Sequence, residues 1–135
     1  MRLSTLLLLA SLAVPWIAAA ADAPNALPTD SPETDAAMYG ESVTLPAQAA
    51  VCAERIPDYA KTFQPVFDAW RNQNFDRLIR GQRYLRDKAK QAGVDVDAGT
   101  ATLAAQEADR LRRTSPEMLA RHCRLMLESI APLPN

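Results

Sequence analysis

The sequence contains a single histidine, His122, so any chemistry that needs an imidazole group must use this residue. If the surrounding segment is helical, Met118 and Met126 lie one turn to either side of His122 on the same face. A stripe of two thioethers and one imidazole offers soft ligands of the kind that hold copper(I). Methionines at this spacing are also ordinary core residues, so we rank a metal site at Met118, His122 and Met126 below a structural role.

The motifs that accompany common catalytic sites do not occur in the sequence. It contains no Gly-x-Ser-x-Gly nucleophile motif and no glycine-rich phosphate loop. One histidine and two cysteines leave little material for a zinc site, and there is no dense acidic cluster of the kind that binds calcium. We therefore expect a protein that is not an enzyme and that carries no cofactor.

Basic residues recur every three or four positions in one segment, at Arg77, Arg80, Arg83, Arg86 and Lys90. Three-residue steps turn by about 60° on an α-helix, so these side chains sweep around half of the surface instead of forming one line. The segment predicts a basic face for an acidic partner, with an ordinary solvated helix face as the alternative. The whole chain has 15 basic and 16 acidic residues, and this balance argues against binding to nucleic acid.

The N-terminus has the three-part order of a secretory signal peptide. A basic start at Met1-Arg2 precedes an apolar run over residues 3–17 and four alanines at residues 18–21. The apolar run of about 15 residues is shorter than the roughly 20 that a membrane-spanning helix needs. We predict a signal peptide over residues 1–21 and no transmembrane segment in the mature chain. This form of signal is typical of bacteria, so we expect export to the periplasm, with full secretion as the alternative.

Residues 22–45 combine prolines with acidic and small polar residues, a composition that buries too little apolar surface to offset the entropy of ordering. We predict a flexible, acidic, proline-rich linker over residues 22–45, which is either a passive spacer or folds back on the basic face. The helical domain is predicted over residues 46–135. Residues 22–50 carry five acidic and no basic side chains, whereas residues 51–135 carry 14 basic and 11 acidic ones.

Apolar residues at steps of three and four predict an all-α fold, a small bundle of four to five helices. No segment alternates as a β-strand does. The predicted helices cover residues 47–55, a stripe from Tyr59 to Trp70 that is kinked or broken at Pro65, residues 75–92, residues 100–113, and a last helix that begins at Ser115-Pro116 and buries Leu119, Cys123, Met126 and Ile130.

Two glycines have specific expected roles in the third helix. Gly81 lies on the apolar stripe of that helix, where the absence of a side chain favours a close crossing with another helix. Gly93 follows the helix at the position where a left-handed cap is common.

The two cysteines, Cys52 and Cys123, both lie on apolar helical faces. In an exported protein an even number of cysteines usually indicates a disulfide, and no Cys-x-x-Cys spacing suggests a redox or metal pair. We predict a Cys52–Cys123 disulfide that ties the first helix of the domain to the last.

Taken together, these features predict a small exported helical protein that acts as a non-catalytic protein-binding module. The expected partner is another periplasmic or envelope protein, and a homodimer is left open. An export signal, an acidic leading segment, a disulfide and a small helical domain resemble the architecture of periplasmic acid-stress chaperones, and helical immunity proteins that neutralise toxins have a similar build. A stress chaperone and an immunity protein are therefore the alternative functions, with copper binding behind them.

Overall fold

A computed structural model describes residues 30–132, which form five α-helices and no β-strand. The helices are α1 (Pro32–Arg55), α2 (Tyr59–Gln73), α3 (Phe75–Ala92), α4 (Val96–Arg112) and α5 (Pro116–Ile130). The predicted all-α bundle of four to five helices is confirmed. None of these five helices combines the length and the apolar character that crossing a membrane requires. The predicted signal peptide over residues 1–21 lies outside the described residues.

Helix α1 is longer than predicted and replaces most of the expected linker. It begins at Pro32, where the Ser31 hydroxyl accepts a hydrogen bond from the Thr34 backbone N–H at 3.1 Å. A serine cap, a proline at the first helical position and an acidic first turn together stabilise a helix start. The predictions of a linker over residues 32–45 and of a helical domain that begins only at Pro46 are therefore wrong. The rest of that linker, residues 22–29, lies outside the described residues.

Two prolines that were expected to start or interrupt helices lie inside them instead. Pro46 lies within α1, and α2 continues through Pro65 to Gln73, so the expected break at Pro65 does not occur. Both prolines are at exposed positions. A proline inside a helix leaves the carbonyl group one turn earlier without its N–H donor. At an exposed position water can bond to this carbonyl group, and the cost of the internal proline is therefore lower.

Helix α1 is the centre of the bundle and packs against each of the other four helices, most extensively against α3 and α4. On the other side of α1, the apolar stripe of α2 is buried as predicted. The rings of its members stack in sequence at centroid distances of 6.2, 5.1 and 5.8 Å, in the order Tyr59, Phe63, Phe67 and Trp70. This aromatic row and the stripe of α5 enclose the core.

The predicted disulfide between Cys52 and Cys123 is present, with Cα atoms 5.9 Å apart, and it joins α1 to α5. Both cysteines are completely buried. Beside them, the Tyr59 hydroxyl donates a hydrogen bond to the Cys123 carbonyl oxygen at 2.8 Å. Burial raises the pKa of Tyr59 to about 12, so this hydroxyl remains a donor at physiological pH.

Most of the remaining helix ends follow local signals in the sequence. Helix α3 has the predicted bounds, and Gly93 caps it in the left-handed conformation, with φ of 69°. Helix α5 begins at Pro116 with the Ser115 hydroxyl as its cap. Helix α4 begins at Val96, four residues earlier than predicted, because the Asp95 carboxylate accepts hydrogen bonds from two backbone N–H groups of its first turn.

Candidate functional site

The predicted basic face is divided between internal structure and surface. Asp35 of α1 is 3% exposed, and each of its carboxylate oxygens accepts one hydrogen bond from an arginine of α3. Arg77 Nε lies 2.7 Å from Oδ1 and Arg80 Nε lies 2.8 Å from Oδ2. The hydrogen bond from Arg77 and the nearby charge of Arg80 hold the pKa of Asp35 below its ordinary value. Two of the five predicted basic-face residues therefore stabilise the packing of α3 on α1.

The close approach of α1 and α3 that permits these contacts depends on Gly81. A Cβ atom at this position would lie 2.0 Å from the Asp35 carbonyl oxygen and 2.9 Å from the Ala36 nitrogen. The prediction that Gly81 marks a close helix crossing is confirmed. The crossing brings the acidic start of α1 onto the basic helix, where the Tyr84 hydroxyl also donates a hydrogen bond to the Glu33 carboxylate at 2.7 Å.

The other predicted basic residues are at the surface. Arg86 forms an exposed ion pair with Asp97 at 3.1 Å. Arg83 and Lys90 are exposed, and within residues 30–132 neither side chain makes a hydrogen bond or an ion pair. The neighbouring Lys88 lies over the Tyr84 ring. The predicted basic residues that do not pair with Asp35 are therefore Arg83, Arg86 and Lys90, and Arg80 is exposed as well although it pairs with Asp35.

We expect Asp35→Asn to lower the free energy of unfolding at neutral pH by about 2 kcal/mol. Removing one partner from a buried ion pair costs about 3–5 kcal/mol, and the partial exposure of Arg77 and Arg80 reduces this penalty. Because the folded pKa of Asp35 is lowered, its contribution is complete well above 3.8 and is lost as the pH falls below that ordinary value.

Urea denaturation of both proteins between pH 7 and pH 3 measures this contribution. The difference between wild type and Asp35→Asn should be constant above about pH 5 and shrink at lower pH. Asp87→Asn, at an exposed position of α3, is the matched control and should change stability by less than about 0.5 kcal/mol. A difference that stays constant down to pH 3 would show that the Asp35 charge does not stabilise the fold.

Beside the surface arginines, α3 and α4 enclose a shallow apolar groove of about 440 Å³. Leu85 and Ala89 of α3 form one wall, and Lys88 lies at its edge. Val94, in the connecting loop, is 62% exposed, and Leu103 of α4 is 48% exposed. Ala89 is buried and Leu85 is half-buried. The sequence did not predict this groove, because its walls come from two different helices, α3 and α4.

A second groove, of about 510 Å³, lies between α1 and α5. Glu41 and Gln48 line its α1 side, and His122 and Met126 line its α5 side, above the buried Trp70. His122 Nε2 is 3.3 Å from Gln48 Oε1. Burial and the charge of Arg110 lower the pKa of His122.

The three residues of the predicted copper site differ in their exposure to solvent. Met118 is 57% exposed, whereas Met126 is buried and His122 lies between them at the edge of the second groove. Among the described residues, no group of three or more histidine, cysteine, aspartate or glutamate side chains is arranged to hold a metal ion.

Comparison of the chain with protein-family models, with curated proteins and with solved structures finds no match.

Proposed function

We propose that this protein is a small exported module that acts by binding another protein of the cell envelope, not by catalysing a reaction. Export to the periplasm is supported by the signal-like order of residues 1–21. The buried Cys52–Cys123 disulfide is compatible with an oxidising compartment of this kind. The observation that carries the binding role is the α3–α4 groove, whose apolar side chains are accessible to a partner.

Acidic, amphipathic segments are the kind of partner that this groove fits. Val94 and Leu103 offer exposed apolar contacts, and an amphipathic helix buries its apolar face in a groove of this type. Lys88 at the groove provides a positive charge that forms no ion pair within residues 30–132. An acidic side chain beside the apolar face of the partner complements this charge and speeds association.

The test compares the proteins retained from an envelope extract of the native cells by wild type and by groove variants. We expect one protein to bind wild type and to bind Val94→Ser/Leu103→Ser at least about tenfold more weakly, since burying a valine or leucine side chain contributes about 1.5–3 kcal/mol. Lys88→Glu should weaken the binding of the same protein and reduce its salt dependence, because Lys88 lines the groove. Surface plasmon resonance with the purified partner gives the constants.

Leu125→Ser is the matched control, because Leu125 is an equally exposed leucine (46%) on α5, away from the α3–α4 groove. It should leave the partner bound. Arg80 is unsuitable for this experiment, because Arg80→Glu also breaks the pair with buried Asp35. The proposal fails if every retained protein binds the Val94→Ser/Leu103→Ser variant as tightly as wild type, or if nothing is retained by the wild-type protein.

A further inference from the structure

The α1–α5 groove is a separate candidate site, whose argument does not depend on the partner proposed for the α3–α4 groove. Its floor is apolar and consists of buried side chains from three helices, namely Leu45 of α1, Trp70 of α2, and Met126 and Ile130 of α5. At about 510 Å³, the groove lies within the range of small-molecule sites, which are mostly apolar concavities with a few converging polar groups. Gln48, His122 and Glu41 are such groups along its walls.

Glu41 determines the charge of this groove. Of the described residues that line it, Glu41 and His122 are the two with titratable side chains. Within residues 30–132 the Glu41 carboxylate has no ion pair and no hydrogen bond, and burial raises its pKa. Since burial also lowers the pKa of His122, the imidazole is neutral at pH 7 and does not compensate the carboxylate. The groove therefore holds one unpaired negative charge beside an apolar floor.

One cation that influences His122 does not change that sign. Arg110 of α4 is close enough to influence His122, but its Nε and Nη2 atoms donate hydrogen bonds to Glu107 Oε2 at 3.1 and 2.7 Å. The Glu107 carboxylate offsets the charge of Arg110, and burial is the one influence that shifts the pKa of Glu41. A ligand that complements the groove thus combines one positive charge with an apolar body.

We infer that the α1–α5 groove binds a small amphiphilic amine, with the protonated nitrogen on the Glu41 carboxylate and the apolar body against Trp70 and Met126. Hydrogen bonds between an ammonium group and a carboxylate are shorter and stronger than those between neutral groups. Gln48, whose amide faces the groove next to His122, offers a further acceptor for the ammonium group.

The experiment titrates the protein purified after export with phenylbutylamine and with two probes of the same shape, the uncharged phenylbutanol and the anionic phenylbutyrate. Isothermal titration calorimetry gives the affinities, and the fluorescence of Trp70, the only tryptophan outside residues 1–21, reports occupancy of the groove. We expect the amine to quench Trp70 and to bind about tenfold or more tightly than the alcohol, because only the amine gains the charge-assisted hydrogen bond.

Glu41→Gln should reduce amine binding to the level of the alcohol. Glu128→Gln is the matched control, because Glu128 is an exposed acid on α5 that pairs with Arg124 and does not line the groove. It should leave the preference for the amine unchanged. Equal affinities for the amine and the alcohol, a preference that survives in Glu41→Gln, or no binding of the amine up to millimolar concentration would each overturn the inference. None of these outcomes bears on the partner of the α3–α4 groove.

Discussion

Replacing Gly81 with alanine is expected to lower the free energy of unfolding by about 3 kcal/mol, although alanine is the better helix former by about 1 kcal/mol. The added Cβ would lie 2.0 Å from the Asp35 carbonyl oxygen and 2.4 Å from the carbonyl carbon. Both atoms belong to the backbone of α1, so no side-chain rotation relieves the overlap. The two helices must move apart, and the contacts of α3 with the central helix weaken.

Gly40→Ala provides the matched control for this prediction. Gly40 lies inside α1, and a Cβ atom built on it meets no heavy atom within 4 Å. The same substitution should there raise the free energy of unfolding by about 0.5–1 kcal/mol, since it removes only the conformational freedom of glycine. Urea denaturation of the two variants should give midpoints that move in opposite directions. A Gly81→Ala midpoint at or above that of wild type would contradict the close crossing.

A double variant tests whether Gly81 acts through the crossing. If α3 moves away from α1, the hydrogen bonds of Arg77 and Arg80 to Asp35 are weakened together with the backbone contact. The effects of Gly81→Ala and Asp35→Asn should then be less than additive, as is usual for residues that share one contact. Additive effects would show that the ion pair adapts to the wider helix spacing.

Helix boundaries were predictable where a capping residue and a proline mark the start of a helix. The serine, proline and glutamate at positions 115–117 correctly predicted the start of α5, and the same three residue types occur at positions 31–33. The sequence analysis did not predict a helix start at positions 31–33, because the surrounding segment is acidic and rich in proline. What stabilises this part of α1 is distant in the sequence, since the partners of Asp35 lie 42 and 45 residues away.

The candidate sites were less predictable than the fold for a related reason. The spacing of the arginines identified α3 as a basic helix. Which of these arginines contact α1 was not predictable, because residues 32–45 of α1 were predicted to be a linker. The grooves are produced by pairs of helices, and neither wall is distinctive alone. Glu41 is an example, because only the packing of α5 beside α1 makes an exposed helical glutamate an unpaired charge at the wall of a groove.

Removal of the disulfide by Cys52→Ala/Cys123→Ala is expected to cost about 4 kcal/mol or more. The bond closes a loop with a sequence separation of 71, and restricting an unfolded chain of this length is worth about 4 kcal/mol in the loop-entropy description. Domains of this size have a total stability of about 5–15 kcal/mol. The variant should therefore unfold at a much lower temperature, as measured by circular dichroism.

Chemical reduction separates the cross-link from the packing of the two sulfur atoms. Reduced wild type keeps the thiols in the completely buried positions of Cys52 and Cys123, whereas the alanine variant also leaves a small cavity there. Stability should therefore decrease from oxidised to reduced wild type and again to the alanine variant, which should not respond to the reductant. If reduction leaves the midpoint of wild type unchanged, the disulfide does not limit the freedom of the unfolded chain, and the buried contacts of α1 and α5 alone hold the bundle closed.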